Sequence, residues 1–242
     1  MTRSKSNLIL ASSERLLLRG RKIVCIGRNY VEHAKELGNP VPQQPFFFLK
    51  PTTSYVRSVS DACIELPSAT ADVHHEVELG VVIGGNSNNT KYAKNVTEDE
   101  AMEYVQGYVL ALDLTERTLQ NEAKKAGKPW TQSKGYDTFC PISDCMIVSP
   151  KKAPPPSTRL WCKVNGQLKQ EGPISDMIFP IHTLISRISQ VMTLEENDVI
   201  LTGTPHGVGP IVPGDSVEGG LVVDEGGDDI LTMKFRVMVR DS

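Results

Sequence analysis

The run His74-His75-Glu76-Val77-Glu78-Leu79-Gly80-Val81-Val82-Ile83 constrains this chain more than any other stretch. Val77, Leu79 and Val81 alternate with Glu76, Glu78 and Gly80, the period of a β-strand, and Gly84-Gly85 ends it. Residues two apart on a strand share a face, so this spacing sets Glu76 and Glu78 side by side. Carboxylates that close repel each other unless a proton or a cation lies between them. Two readings stand: a half-buried strand with a solvated acidic face, or a strand that offers oxygen ligands to a hard divalent cation.

A second acid joins them from another apolar run. Gly107-Tyr108-Val109-Leu110-Ala111-Leu112 reads as a strand that delivers Asp113 at its C-terminal edge. Three carboxylates with open positions suit Mg²⁺ or Mn²⁺ better than Zn²⁺. Around them, Lys22 to Ile26 is a predicted strand closed by Gly27, and Asn29 to Leu37 a short helix with Asn29 as its N-cap. On that helix His33 and Glu36 are three apart and share a face, a spacing that lets a carboxylate fix an imidazole tautomer. A solvated helical pair satisfies the same spacing. The helix lies between Gly27 and the breaker Gly38 to Pro45, which predicts a lid that orders when substrate binds. Phe46 to Leu49 reads as a buried strand running into Lys50-Pro51, and Lys50 and Lys134 are candidates to hold a substrate carboxylate.

The rest of the chain punctuates itself clearly. Thr97-Glu98-Asp99-Glu100 is a capping box, Thr115 to Lys125 a helix stopped at Gly127, and Asn165-Gly166 the turn of a hairpin. Pro180 to Met192 carries an apolar stripe of Ile181, Leu184, Ile185, Ile188, Val191 and Met192. A last strand covers Leu231 to Val239. Many strands joined by turns with few short helices indicate one β-rich α+β domain over 21–242, after an N-terminal extension over 1–20. The glycines from Gly203 to Gly209 lack the pattern of a phosphate loop.

Composition excludes several classes. A net charge of −3 over 242 residues leaves no basic footprint for nucleic acid, and no apolar run reaches membrane-span length. The five cysteines form no Cys-x-x-Cys pair, which argues against a zinc site and a disulfide framework. Arg3, Lys5, Arg15, Arg19 and Arg21 with several serines and a single acid, Glu14, give the first residues a faint mitochondrial-presequence character.

Read together, Gly27-Arg28-Asn29-Tyr30, His33-x-x-Glu36, Phe48-Leu49-Lys50-Pro51, His75 to Leu79, Leu112-Asp113, Arg117-x-x-Gln120, Trp130 to Lys134, Lys163 to Gly166 and Leu201-Thr202-Gly203-Thr204-Pro205 occur in one order. Any one is weak; the ordered set closely resembles the fumarylacetoacetate hydrolase superfamily, in particular its small acylpyruvase and oxaloacetate decarboxylase members. The resemblance spans roughly residues 20 to 240 and implies a mixed β-roll with short peripheral helices. It implies a Mg²⁺ or Mn²⁺ site at Glu76, Glu78 and Asp113 and a catalytic set of His33, Glu36 and Lys134. Substrate contacts fall on Arg28, Lys50, Gln120 and Thr204. The implied chemistry is acylpyruvate hydrolysis or oxaloacetate decarboxylation, with the cation, chelated by the 2-oxo acid, stabilising the enolate that forms; oxalate is the expected inhibitor. Oxaloacetate enol–keto exchange, or a ring-cleavage isomerase, is the alternative, and a non-enzymatic binding module the remote one. A homodimer in mitochondria or cytoplasm is further implied. The Asn86 to Asn89 insertion before Asp113 departs from the family pattern and is expected to be a surface loop, and Asp137 and Thr138 also differ from it.

Overall fold

A computed structural model of the chain describes residues 9–36, 38, 40–85, 90, 92–149, 151–223 and 227–240. The first eight residues, Leu37 of the predicted helix and the Asn86 to Asn89 insertion lie outside them.

Two sheets carry most of the mass. The larger runs Ile9–Ser12, Cys145–Val148, Val105–Leu112, Val77–Ile83, Val199–Leu201, Ile23–Gly27 and Phe46–Lys50 in spatial order, with Cys140–Ile142 and Tyr55–Arg57 branching from it. The other runs Gln167–Pro173, Arg159–Val164, Ser216–Val222, Asp229–Val239 and Cys63–Leu66. Both mix directions: Val199–Leu201 is parallel to Ile23–Gly27 but antiparallel to Val77–Ile83, and Asp229–Val239 is parallel to Cys63–Leu66. This is the β-rich α+β class expected from the turn-punctuated sequence.

The main core lies between the sheets. Val77, Leu79, Val81 and Ile83 face Leu160, Val217, Leu231 and Phe235 across it. The opposite face of the large sheet packs a smaller cluster, in which Val82, Val109, Val199 and Cys25 meet Leu16 of the helix Glu14–Arg19. Val77–Ile83 is therefore buried along its whole length. The segment expected as an extension joins the domain from Ile9 onward, where Ile9–Ser12 pairs with Cys145–Val148.

Local signals are met where they are self-contained. The capping box closes on Glu98–Ala101, with Thr97 accepting from the Glu100 N–H. Helix Arg117–Ala126 ends at Gly127 in the left-handed region, φ 63°. Asn165 and Gly166 both take positive φ, as a two-residue hairpin requires.

Three expectations are corrected. Phe46–Lys50 is an edge strand, with its phenylalanines half-buried and Leu49 exposed, because nothing pairs beyond it among the described residues. The apolar helix is Ile181–Ser189, so Val191 falls past its end and is exposed, although Ile181, Leu184, Ile185 and Ile188 do enter the core. The helix before it is Val31–Glu36, and Asn29 does not cap it. Instead the buried Asn29 amide donates to Phe179 O and Thr202 O and accepts from Phe179 N–H, which ties three segments together.

Candidate active site

Sheet register explains why the three acids meet. The ladder pairs Val77 with Leu112 and Glu78 with Ala111, and Asp113 N–H donates to Glu76 O at 2.8 Å. Asp113 thus stands beside Glu76, just past the end of its strand. Glu76 is not inside one continuous strand: it occupies the break between Val73–His75 and Val77–Ile83. A carboxylate oxygen from each of Glu76, Glu78 and Asp113 comes within 4.8 Å of the others, and all three residues are buried. A solvated acidic face is thereby excluded.

Buried carboxylates need partners, since isolated charges in a dry interior cost several kcal/mol each. Lys134 Nζ bridges Glu76 Oε2 at 3.0 Å and Asp113 Oδ2 at 2.6 Å. Arg117 Nη2 donates to Glu76 Oε1 at 2.6 Å, and the Thr115 hydroxyl adds a bond to the same oxygen at 3.1 Å. Burial alone would raise the Glu76 carboxyl, but Lys134 and Arg117 override it and hold it well below the usual range. The same acids keep the Lys134 ammonium above its ordinary value, against burial that would lower it.

Glu78 is different. Its partner is the Gly203 N–H, at 2.6 Å, and no ammonium or guanidinium pairs with it among the described residues. Burial pushes its carboxyl up, and neighbouring Asp113 and Glu76 push it further. Gly203 sits at φ +100°, and a Cβ there would come within 2.6 Å of Asn29 Cβ, so the donor to Glu78 requires glycine. A trio of hard oxygen donors, one of them held without a positive partner, fits a divalent cation of the Mg²⁺ or Mn²⁺ kind.

The other predicted residues fall into three groups. His33 is buried and lines the same cleft, with Nδ1 facing Glu36 Oε2 at 3.5 Å. Burial lowers the His33 imidazole below its ordinary value, with Glu76 and Glu36 only partly offsetting this. Glu36 is anchored by the Gly207 N–H at 3.1 Å. Arg28, Gln120 and Thr204 also line the cleft. Arg28 takes a positive φ of 56°; Gln120 Oε1 accepts from Arg117 at 2.7 Å; Thr204 donates to Val77 O and accepts from Gln170 Nε2, both at 2.8 Å.

Lys50 departs from expectation. Its ammonium donates to Leu114 O, Lys134 O and Phe139 O at 2.9, 2.6 and 2.9 Å, and pairs with Asp113 Oδ1 at 2.9 Å. An ammonium has three protons, and the three carbonyls engage all of them, leaving Asp113 Oδ1 as a charge partner. Lys50 therefore holds Asp113 and two chain segments in place, and it has no donor left for a substrate.

Sequence reasoning missed Arg117 as the partner of Glu76, although its i,i+3 spacing to Gln120 and the paired acids were visible. It also missed Gln170, whose amide joins His75, Val77, Thr204 and Pro205. No local signal marks Gln170, because its partners come from other strands.

Comparison with known proteins agrees with this geometry. The family profile described as "Fumarylacetoacetate (FAA) hydrolase C-terminal" matches residues 22–238. A Dictyostelium discoideum protein named oxaloacetate decarboxylase, mitochondrial, is 53% identical over 84% of this chain and 89% of its own. A rice protein named oxaloacetate tautomerase FAHD2, mitochondrial, is 53% identical over 87% of this chain and 91% of its own. Among solved structures, fumarylpyruvate hydrolase from Pseudomonas aeruginosa in complex with Mn²⁺ and pyruvate superposes with a TM-score of 0.79 at 31% identity, covering 91% of this chain and 90% of that one. The chain belongs to the fumarylacetoacetate hydrolase family.

Proposed function

We propose that this protein is a Mg²⁺- or Mn²⁺-dependent enzyme acting on small 2-oxo acids, with oxaloacetate as the leading substrate and acylpyruvates as further ones. The observation that carries the reading is the buried Glu76–Glu78–Asp113 trio sharing one cleft with His33 and Lys134. Relatives named for oxaloacetate chemistry and the pyruvate and Mn²⁺ of the Pseudomonas enzyme support it.

Glu76, Glu78 and Asp113 would hold the cation, which when bound supplies Lewis acidity to the carboxylate and keto oxygens of a 2-oxo acid. The chain's own groups divide the remaining work. Lys134 places a permanent positive charge where an enolate oxygen gains negative charge. His33, kept neutral by burial, accepts a proton: from substrate carbon in enol–keto exchange, or from water attacking the distal carbonyl of an acylpyruvate. Glu36 orients the imidazole and stabilises it once protonated. Loss of CO₂ from oxaloacetate needs no base, so the charge at Lys134 matters there more than His33 does. Arg28 and the free amide hydrogens of Gln120 orient the substrate, while Thr204, its proton given to Val77 O, lines the cleft beside them. Enol–keto exchange is the second reading, favoured by the buried neutral base.

The free space in the cleft is about 30 Å³, room for a water or two rather than a substrate. This supports a helix Val31–Glu36 that shifts as substrate enters. Mitochondrial residence is supported by the names of the relatives. A homodimer is supported by exposed Ile9 and Leu10 on the edge strand Ile9–Ser12 of the large sheet.

The test combines pyruvate release with ultraviolet detection of oxaloacetate tautomers, with Mn²⁺ and with chelator, on wild type and Glu78→Gln. Chelation and the substitution are each expected to lower turnover about a thousandfold, roughly 4 kcal/mol, and oxalate should compete with substrate. Saturating Mn²⁺ at about 100 Kd should stabilise wild type by about 2.7 kcal/mol and leave Glu78→Gln unmoved in a thermal melt. Turnover indifferent to chelator would sink the cation; Mn²⁺ binding without turnover would sink the substrate class.

A further inference from the structure

The cations of this cleft divide into two populations. Lys50, Lys134 and Arg117 lie deep and each is paired with a buried carboxylate. Arg28 and Lys124 stand at the mouth, half-buried, and among the described residues neither has a carboxylate within ion-pair distance. Each rests instead on an aromatic ring. Arg28 Cζ is 5.5 Å from the Phe46 centroid, and Lys124 Nζ is 5.3 Å from that of Trp130. The rings pack edge to face with centroids 5.8 Å apart, so the two cations share one aromatic rim.

Helix Arg117–Ala126 shows the same bias. Arg117, Gln120 and Lys124 fall at i, i+3 and i+7, one face, and all three line the cleft. A helix face turned inward is ordinarily apolar; this one is polar from end to end. Its first two members are engaged with Glu76 and with each other, while the Lys124 ammonium, over Trp130, has no hydrogen-bond or ion-pair partner among the described residues. Holding like charges together at a half-dry mouth is unfavourable without an anion between them. Burial, then Arg117 and Arg28, pull the Lys124 ammonium down to about 8, with Glu76 offsetting this only in part, so it stays charged at neutral pH with no carboxylate paired to it among the described residues.

We propose that Lys124, with Arg28 beside it on the Phe46–Trp130 rim, binds the second carboxylate of a dicarboxylic 2-oxo acid and so makes the enzyme prefer dianionic to monoanionic substrates. The proposal rests on the 2-oxo acid reading above and deepens it. Lys124 is a specificity-determining residue: it touches the end of the substrate remote from the reacting carbonyl. Its loss should therefore appear in KM for a dicarboxylate, with kcat little affected.

The experiment compares oxaloacetate, with two carboxylates, against acetylpyruvate, with one, in wild type, Lys124→Met, Lys124→Gln and Lys124→Arg. Lys124→Met keeps an unbranched stem over Trp130 and removes the charge; thermal melts check that each variant is folded. Expected is at least a tenfold fall in the kcat/KM preference for oxaloacetate in Lys124→Met and Lys124→Gln, carried by KM. Lys124→Arg should recover the preference to within about threefold of wild type. As a readout independent of turnover, oxaloacetate without added metal should perturb Trp130 fluorescence in wild type and not in Lys124→Met. An unchanged preference in both neutral variants, with wild-type turnover intact, overturns the carboxylate assignment alone. Wild-type enzyme inactive on both substrates overturns the 2-oxo acid reading and this inference with it.

Discussion

Two strands of this protein treat alternation differently. Asp229–Val239 follows it plainly: Leu231, Met233, Phe235 and Val237 are buried, while Thr232, Lys234, Arg236 and Met238 face solvent. Val77–Ile83 also starts with alternation, Val77 and Leu79 against Glu78 and Gly80, yet every residue is buried. Its odd positions meet the main core, and its even positions, Glu78 included, meet a second covered face. A polar residue on the first strand marks water. On the second it marks a charge kept from water, which the fold tolerates only with lysine, arginine, backbone N–H groups or a bound cation around it. The same two-residue period therefore reads as surface or as active site according to how many layers cover the strand.

The sharpest way to break this comparison is to remove compensation from the doubly covered strand's neighbourhood. Lys50→Met leaves three buried carbonyls without their donor and removes one of the two cations paired with Asp113, and it should destabilise the protein by about 3–5 kcal/mol in denaturant melts. A loss under about 1 kcal/mol would mean that water or Lys134 replaces it readily.

A smaller effect comes from pH. His33 is held below the ordinary 6.5 by burial, so the folded protein favours the neutral ring. The base form is therefore present at neutral pH and lost as pH falls through the lowered value. The kcat/KM for oxaloacetate tautomerisation, measured from pH 5 to 7.5, should fall on the acid side with a midpoint below 6.5 and drop about tenfold per unit well below that midpoint. His33→Gln should abolish that limb. By linkage, His33 adds stability above the unfolded value, and this contribution fades as pH drops below it. An acid limb with its midpoint above 6.5 would contradict the burial argument.

The smallest effect belongs to the singly covered strand. Thr232→Lys, on an outward position of Asp229–Val239, should change stability by less than about 0.5 kcal/mol and leave turnover alone. A large loss in the melt would show that this face is covered in solution, as by a second subunit.

How much was legible beforehand depended on the range of each interaction. Glu76, Glu78 and Asp113 could be nominated because two lie on one strand and the third ends another, and the ordered motifs carried His33, Glu36 and Lys134 with them. Lys50 was misread, since nothing beside it in sequence shows that Leu114, Lys134 and Phe139 will present carbonyls to its ammonium. Asn29 looked like a helix cap for the same reason: its partners, Phe179 and Thr202, lie about 150 and 173 residues away.

By itself, then, the sequence determined the features that a segment decides with its own backbone. These are the period of the strands, the box at Thr97 and Glu100, the left-handed stop at Gly127, the Asn165-Gly166 turn and the acids at strand ends. Only the tertiary structure decided which faces are dry, that Glu76 breaks its strand, and which cation neutralises which carboxylate. It also decided that Glu78 and Lys124 have no ion-pair partner among the described residues. Local periodicity fixes where a side chain points relative to its own chain; electrostatic pairing depends on which strands become neighbours, and that is settled by packing the whole molecule at once.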